Sequence, residues 1–226
     1  MSASAPSRET IARQYDGWAA VYDWIWRGYV DRTLGVLEAW AALRPGERVL
    51  DVGCGTGAFE ARAVASGASN EMVGVDLSAR MLARAREKLA GHPQVAFRRA
   101  DAHALPFDDG RFDVVVSASA FHYFADPARA LAEIGRVLRP GGRLVVLDWC
   151  RDFWTCRLLD RVLAVVDPAY RRCLTLAEMQ ALVAGAPLVV RRAERLRVGW
   201  FWGMMAIEAL RPEEGRSVLR GENKPG

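Results

Sequence analysis

At 226 residues, with 51% hydrophobic and 26% charged residues, the chain has the balance of a folded globular protein and enough length to bury a substantial core. Its 31 basic and 27 acidic residues are scattered in mixed order and leave a net charge of +4, without the basic stripe and stacking aromatics of a nucleic-acid-binding face. No run approaches the roughly 20 apolar residues of a membrane-spanning helix, no apolar secretory core opens the chain, and four cysteines without a C-x-x-C pair argue against a disulfide framework or a zinc knuckle, so a cytoplasmic location is expected.

One domain over residues 1–226 is expected, ending in a loose charged tail over 211–226. From Arg8 to Leu43 apolar and aromatic residues recur at helical spacing, with Tyr15, Trp18, Ala19 and Tyr22 near one face, which predicts a helical cover over 1–43. Pro45-Gly46 turns the chain into a short strand, Arg48–Val52, that runs into the glycine loop Asp51-Val52-Gly53-Cys54-Gly55-Thr56-Gly57, and a helix follows to Ser66. Met72–Asp76 is a second strand. Ser78 caps a helix from Ala79 to Ala90, and Val95–Arg98 and Asp113–Ser117 are further strands, the latter apolar enough to be covered on both faces. Asp126-Pro127 opens a helix to Leu138 that Pro140-Gly141-Gly142 ends before a strand over Arg143–Asp148. These elements make up a ligand-binding core over 44–150. Residues 153–184 read as helical, with Thr175 and Glu178 as a capping box, in a substrate-side segment over 151–187; two strands form a closing hairpin over 188–210. Strand and helix alternate repeatedly, so the fold class is α/β with a parallel sheet and helices on both faces.

The glycine loop lets a ligand approach the backbone closely, and at the carboxyl ends of parallel strands Asp51, Asp76, Asp101 and Ser117 emerge together. Asp76 ends the next strand, about 20 residues past the loop, where a carboxylate accepts both hydroxyls of a ribose. The spacing is D-x-G-x-G-x-G, with the third glycine one residue too early for the pyrophosphate-binding G-x-G-x-x-G. Asp51 repels a pyrophosphate and attracts an ammonium group, or else bonds the amides of its own loop.

The segments VLDVGCGTG, GVDLS, DAHALPF and LRPGGRLVVLD, spread over residues 49–148, resemble the successive motifs of class I S-adenosylmethionine (SAM)-dependent methyltransferases. The segment Tyr15-x-x-Trp18-Ala19-x-x-Tyr22-Asp23 is similar to the start of the ubiquinone/menaquinone C-methyltransferase-like group of small-molecule enzymes. The resemblance implies a Rossmann-like, seven-stranded, mostly parallel sheet with an antiparallel last strand. It also implies that Gly53, Gly55 and Gly57 contact the methionine part of SAM, Asp76 the ribose, Leu77 the adenine face, and Asp101 with Ala102 the adenine amino edge. Ser117 and Ala118 then lie beneath the sulfonium, and Tyr15 and Tyr22 either cover the cofactor or pack on the sheet.

The expected activity is methyl transfer to oxygen, nitrogen or carbon of a small acceptor such as a quinone, lipid or natural product, with no metal, because His92, His103 and His122 lack ligand spacing. His122, just past the fourth strand, is the candidate general base, with a loop anchor as its other reading. Trp149, Phe153, Trp154, Trp200, Phe201 and Trp202 form either an apolar acceptor pocket or part of the core. A nicotinamide-dependent oxidoreductase needs the later third glycine that this loop lacks; a non-catalytic SAM-binding module and a macromolecular acceptor are the remaining rivals.

Overall fold

A computed structural model describes residues 27–167 and 169–213. Tyr15, Trp18, Ala19 and Tyr22, and all of the expected tail beyond residue 213, lie outside the described residues. Seven strands form one sheet: β1 (Val49–Val52), β2 (Met72–Asp76), β3 (Val95–Arg99), β4 (Phe112–Ala118), β5 (Leu138–Trp149), β6 (Val189–Val198) and β7 (Trp202–Leu210). Their order is β3-β2-β1-β4-β5-β7-β6. The first five pair parallel, and β7 runs antiparallel to both β5 and β6, as expected of the last strand.

Helices α1 (Arg27–Ala41), α2 (Ala58–Ala65), α3 (Ala79–Lys88), α4 (Pro127–Val137), α5 (Trp154–Val166) and α6 (Leu176–Ala184) surround the sheet. The central strands are buried on both faces, and the period of two in their side chains builds two cores. Val115, Leu144 and Val146 meet Leu131 and Ile134 of α4 and Met179 and Val183 of α6. Val114, Val116, Val145 and Leu147 meet Leu34 and Leu37 of α1 and Phe59 of α2 on the opposite side.

Local chemistry starts the helices where the side chains demand it. The Ser78 hydroxyl accepts the Met81 amide, Asp126 accepts that of Arg129 with Pro127 in the first turn, and Thr175 and Glu178 complete a capping box.

Two boundaries differ from expectation. Helix α3 stops at Lys88 with Leu89 as its cap, two residues before the predicted end at Ala90. Leu138 is already extended, so β5 starts five residues before Arg143, and its pairing with β4 jumps from Phe112↔Leu138 to Val114↔Arg143 around Pro140-Gly141-Gly142. No side chain fits at Gly142, where a Cβ would lie 2.8 Å from the Arg139 carbonyl oxygen and 3.0 Å from that of Asp113. Residues 153–184 hold two helices, the second opening at the capping box expected at Thr175 and Glu178. Asp167, which precedes a proline, is pushed to extended backbone, and its carboxylate takes the amides of Ala169 and Tyr170.

Candidate functional site

Strands β1, β2 and β4 all end at one edge of the sheet, and the loop after β1 must turn sharply there. Gly53 has φ 83°, and a Cβ on it would sit 2.6 Å from the Cβ of Ala120, so only glycine lets the β1 and β4 loops close on each other. Gly57 has φ 71° and abuts Phe97 and Ala85, with a Cβ placed 2.9 Å from the former; its bareness serves the packing of the loop against β3 and α3.

These turns leave a cleft of about 270 Å³. Gly53, Gly55, Asp76, Leu77, Asp101, Ala102 and Ala118 all line it, so most of the residues singled out in the sequence meet there. Asp51, Gly57, Ser117 and His122 are not among the lining residues. The Ser117 hydroxyl is turned into the sheet, donating to the Val52 carbonyl at 2.7 Å.

Asp76 organises the floor of the cleft. Its two carboxylate oxygens accept the Gly55 amide at 3.0 Å and the Ser78 amide at 2.8 Å, which fixes the loop and orients the carboxylate. Asp101 accepts the backbone amide of His103 at 3.0 Å and lies 2.5 Å from its ring Nδ1.

Beneath the loop lie two buried carboxyls. Among the described residues, Asp51 Oδ1 and both oxygens of Glu60 have no hydrogen-bond partner. Burial, with the carboxylates of Glu60 and Asp76 adding to it, holds Asp51 well above the usual carboxylate range. Burial likewise pushes Glu60 up to about 7, against the opposing pull of its own backbone amide and the Lys88 ammonium. A cationic ligand group near the loop would favour the ionised form of these buried carboxyls.

On the far side, His122 is buried in the short turn Phe121–Tyr123. Its Nδ1 is 2.6 Å from Asp148 Oδ1, and its ring stacks on the Trp149 indole with centroids 4.1 Å apart at 9°. The Asp148 carboxylate also accepts the amides of Phe121 and Trp149, so the imidazole is gripped at the base of the turn whose next residue, Tyr123, reaches the cleft.

Sequence reasoning missed a polar chain at the cleft edge. Ser119 lines the cleft in a left-handed conformation, φ 53°, that non-glycine residues seldom adopt, and its hydroxyl lies 2.6 Å from that of Tyr29 on α1. Trp149 Nε1, a donor only, gives its proton to the same Tyr29 oxygen at 2.7 Å. No local signal marks Ser119 or Tyr29. Glu60 did carry one, since it sits between Phe59 and Ala63 on the buried face of α2. The six aromatics singled out for the acceptor do not gather on the cleft. Trp149 and Trp202 stack inside the fold, whereas Trp154 and Trp200 face outward, because the α5 start and the β6–β7 turn carry them off the edge of the sheet.

Residues 50–146, the span from β1 to β5 that carries this loop and cleft, match the family model described as a methyltransferase domain. The β1–β5 core of the chain is thus similar to a methyltransferase domain. Curated relatives agree. The demethylmenaquinone methyltransferase of Thermus thermophilus is 47% identical over 104 residues, 46% of this chain and 47% of that one. The 27-O-demethylrifamycin SV methyltransferase of Amycolatopsis mediterranei is 32% identical over 163 residues, 64% and 60% of the two chains. The chain spans about half the length of the first curated relatives it matches. Among solved structures, the cyclase SpnF superposes with a TM-score of 0.77 at 21% identity, covering 92% of this chain and 98% of the other. That likeness shows the fold alone.

Proposed function

We propose that the chain acts as one domain that binds SAM in the cleft after β1 and transfers its methyl group to a small acceptor, through oxygen, nitrogen or carbon. The observation that carries the reading is the glycine-walled cleft bounded by Asp76 and Asp101, with the unpartnered Oδ1 of Asp51 beneath the loop. Demethylmenaquinone and rifamycin methyltransferases among the relatives point to an apolar acceptor of quinone or natural-product type.

Bound SAM supplies a methyl group already activated on a sulfonium. Asp76, on the cleft wall and oriented by the Gly55 and Ser78 amides, takes the ribose hydroxyls, and Leu77 flanks the adenine. Asp101 and Ala102 read the adenine amino edge. The carboxyl of Asp51 balances the ammonium group through the loop, and Gly53 and Gly55 allow the backbone contact. Ala118, which lines the cleft over the buried Ser117, would lie beneath the sulfonium, where an acceptor held in line with the methyl group would react. His122 is the general base of this scheme, its tautomer set by Asp148 so that Nε2 carries the lone pair. Tyr15 and Tyr22 serve as the cover from the N-terminal side.

Calorimetric titration with SAM and with NAD decides the cofactor: SAM binds and NAD does not, and the reverse result overturns the reading. Methyl-labelled SAM incubated with cell extract identifies the acceptor by the labelled product. Tight SAM binding with no labelled product from any acceptor would favour a non-catalytic module instead.

A further inference from the structure

The outer face of α5 is unusual for a surface helix. Trp154, Leu158, Val162 and Val165 follow one another at spacings of four, four and three, so they form a single stripe along the helix. They are exposed to 62%, 53%, 47% and 85%, and Trp200, at the β6–β7 turn, to 81%. Arg157 and Arg161 precede Leu158 and Val162 and border the stripe on its exposed side. Asp160 is the one acid of the helix, and it turns inward to the Tyr170 hydroxyl and the Cys173 amide. The charge left on the outer face is therefore positive. Arg197 of β6 extends it, stacked over the Phe153 ring at 5.2 Å and donating to the Trp200 carbonyl, whereas Arg195 lies 4.0 Å from the Asp152 carboxylate.

This face adjoins the cleft. Trp149 ends β5 opposite Met204 of β7, which puts the β6–β7 turn and the start of α5 at the edge of the sheet where the glycine loop lies. The other end of α5 returns to that edge, because Asp167 accepts the hydroxyl of Tyr123, a cleft residue.

We propose that this face docks the protein on an anionic lipid surface, with Trp154, Leu158, Val162, Val165 and Trp200 entering the interfacial layer and the arginines meeting the headgroups. Tryptophans projecting from two separate elements, with arginines between them, suit the boundary between headgroups and acyl chains; a contact between two copies calls for no cationic border. The location deepens the proposed function, and in that respect rests on it: an apolar acceptor dissolved in the bilayer meets the cleft without crossing water.

Co-sedimentation of the full chain with phosphatidylcholine vesicles, with and without phosphatidylglycerol, tests the surface. Binding is expected with the anionic lipid and is weakened by added salt. The double substitution Trp154→Ser/Trp200→Ser lowers the partition coefficient at least about tenfold, and Arg157→Gln/Arg161→Gln lowers it about thirtyfold on anionic vesicles only. SAM titration of the same variants stays unchanged, which separates this proposal from that of the cofactor. Absence of vesicle binding overturns the proposal. So does binding that both variants retain, or binding that only deletion of residues 1–26 removes. A dimer seen by light scattering that Trp154→Ser/Trp200→Ser dissociates, without vesicle binding by the parent chain, assigns the face to a second copy and overturns it as well.

Discussion

Glu60 shows how a single side chain couples the glycine loop to pH. It sits fully buried beneath the loop, with Oε1 only 2.6 Å from where a Cβ on Gly74 would lie, so β2 needs a glycine there to make room for the acid. A carboxyl raised from 4.5 to about 7 binds its proton more tightly in the folded chain than in the unfolded one. Its contribution to stability is therefore fully present below pH 4.5 and is lost as the pH rises through about 7. Glu60→Gln keeps the shape and removes the ionisation. The variant is expected to match the parent at pH 4 and to exceed it by up to about 3 kcal/mol at pH 8, by denaturant unfolding. Equal stability at both values would show that Glu60 is not an unneutralised acid.

The turn from β4 into α4 is where an element, more than a residue, sets the chemistry. Phe121–Tyr123 is a single 3₁₀ turn, tied down by the Phe121 amide on Asp148 and followed by the Asp126 cap. That geometry puts Tyr123 on the cleft wall and His122 behind it, pinned by Asp148 and Trp149. If His122 is the base, His122→Ala lowers kcat by about 10²–10⁴-fold for an acceptor that loses a proton. An anchor-only imidazole predicts a lower melting temperature with kcat retained below it. Steady-state rates, with the acceptor identified by labelling, and thermal unfolding tell these outcomes apart.

Over the whole molecule, Tyr29 joins parts of the chain that are far apart in sequence. It meets Ser119 at the end of β4, Trp149 at the end of β5 and, with ring centroids 4.7 Å apart, Trp202 at the start of β7. Arg143 ties the other end of α1, through the Ala41 carbonyl, to the start of the core, where it pairs with Glu47. Tyr29→Phe leaves the Trp149 indole N–H and the Ser119 hydroxyl without their shared oxygen. A loss of about 1–2 kcal/mol in unfolding free energy is expected, and an unchanged denaturation midpoint would show that the phenol does not close α1 on the sheet. The same global fold is found in the cyclase SpnF, so the chemistry of this chain is argued from its cleft and not from its architecture.

Much of this protein was legible in order along the chain. Strand β2 and the caps at Ser78, Asp126 and Thr175 follow from hydrophobic period and from side chains that bond amides three residues away, interactions that need no distant partner. The loop glycines, Asp76 and Asp101 were legible for the same reason, since parallel strands must end at a common edge. Tertiary structure alone decided the rest. The left-handed Ser119 is held by Tyr29 from 90 positions away, the early start of β5 by its pairing with β4, and the outward turn of Trp154 and Trp200 by where α5 and the last hairpin meet the sheet. Local signals record what a residue can do with its neighbours in sequence, whereas burial and exposure are properties of the packed chain.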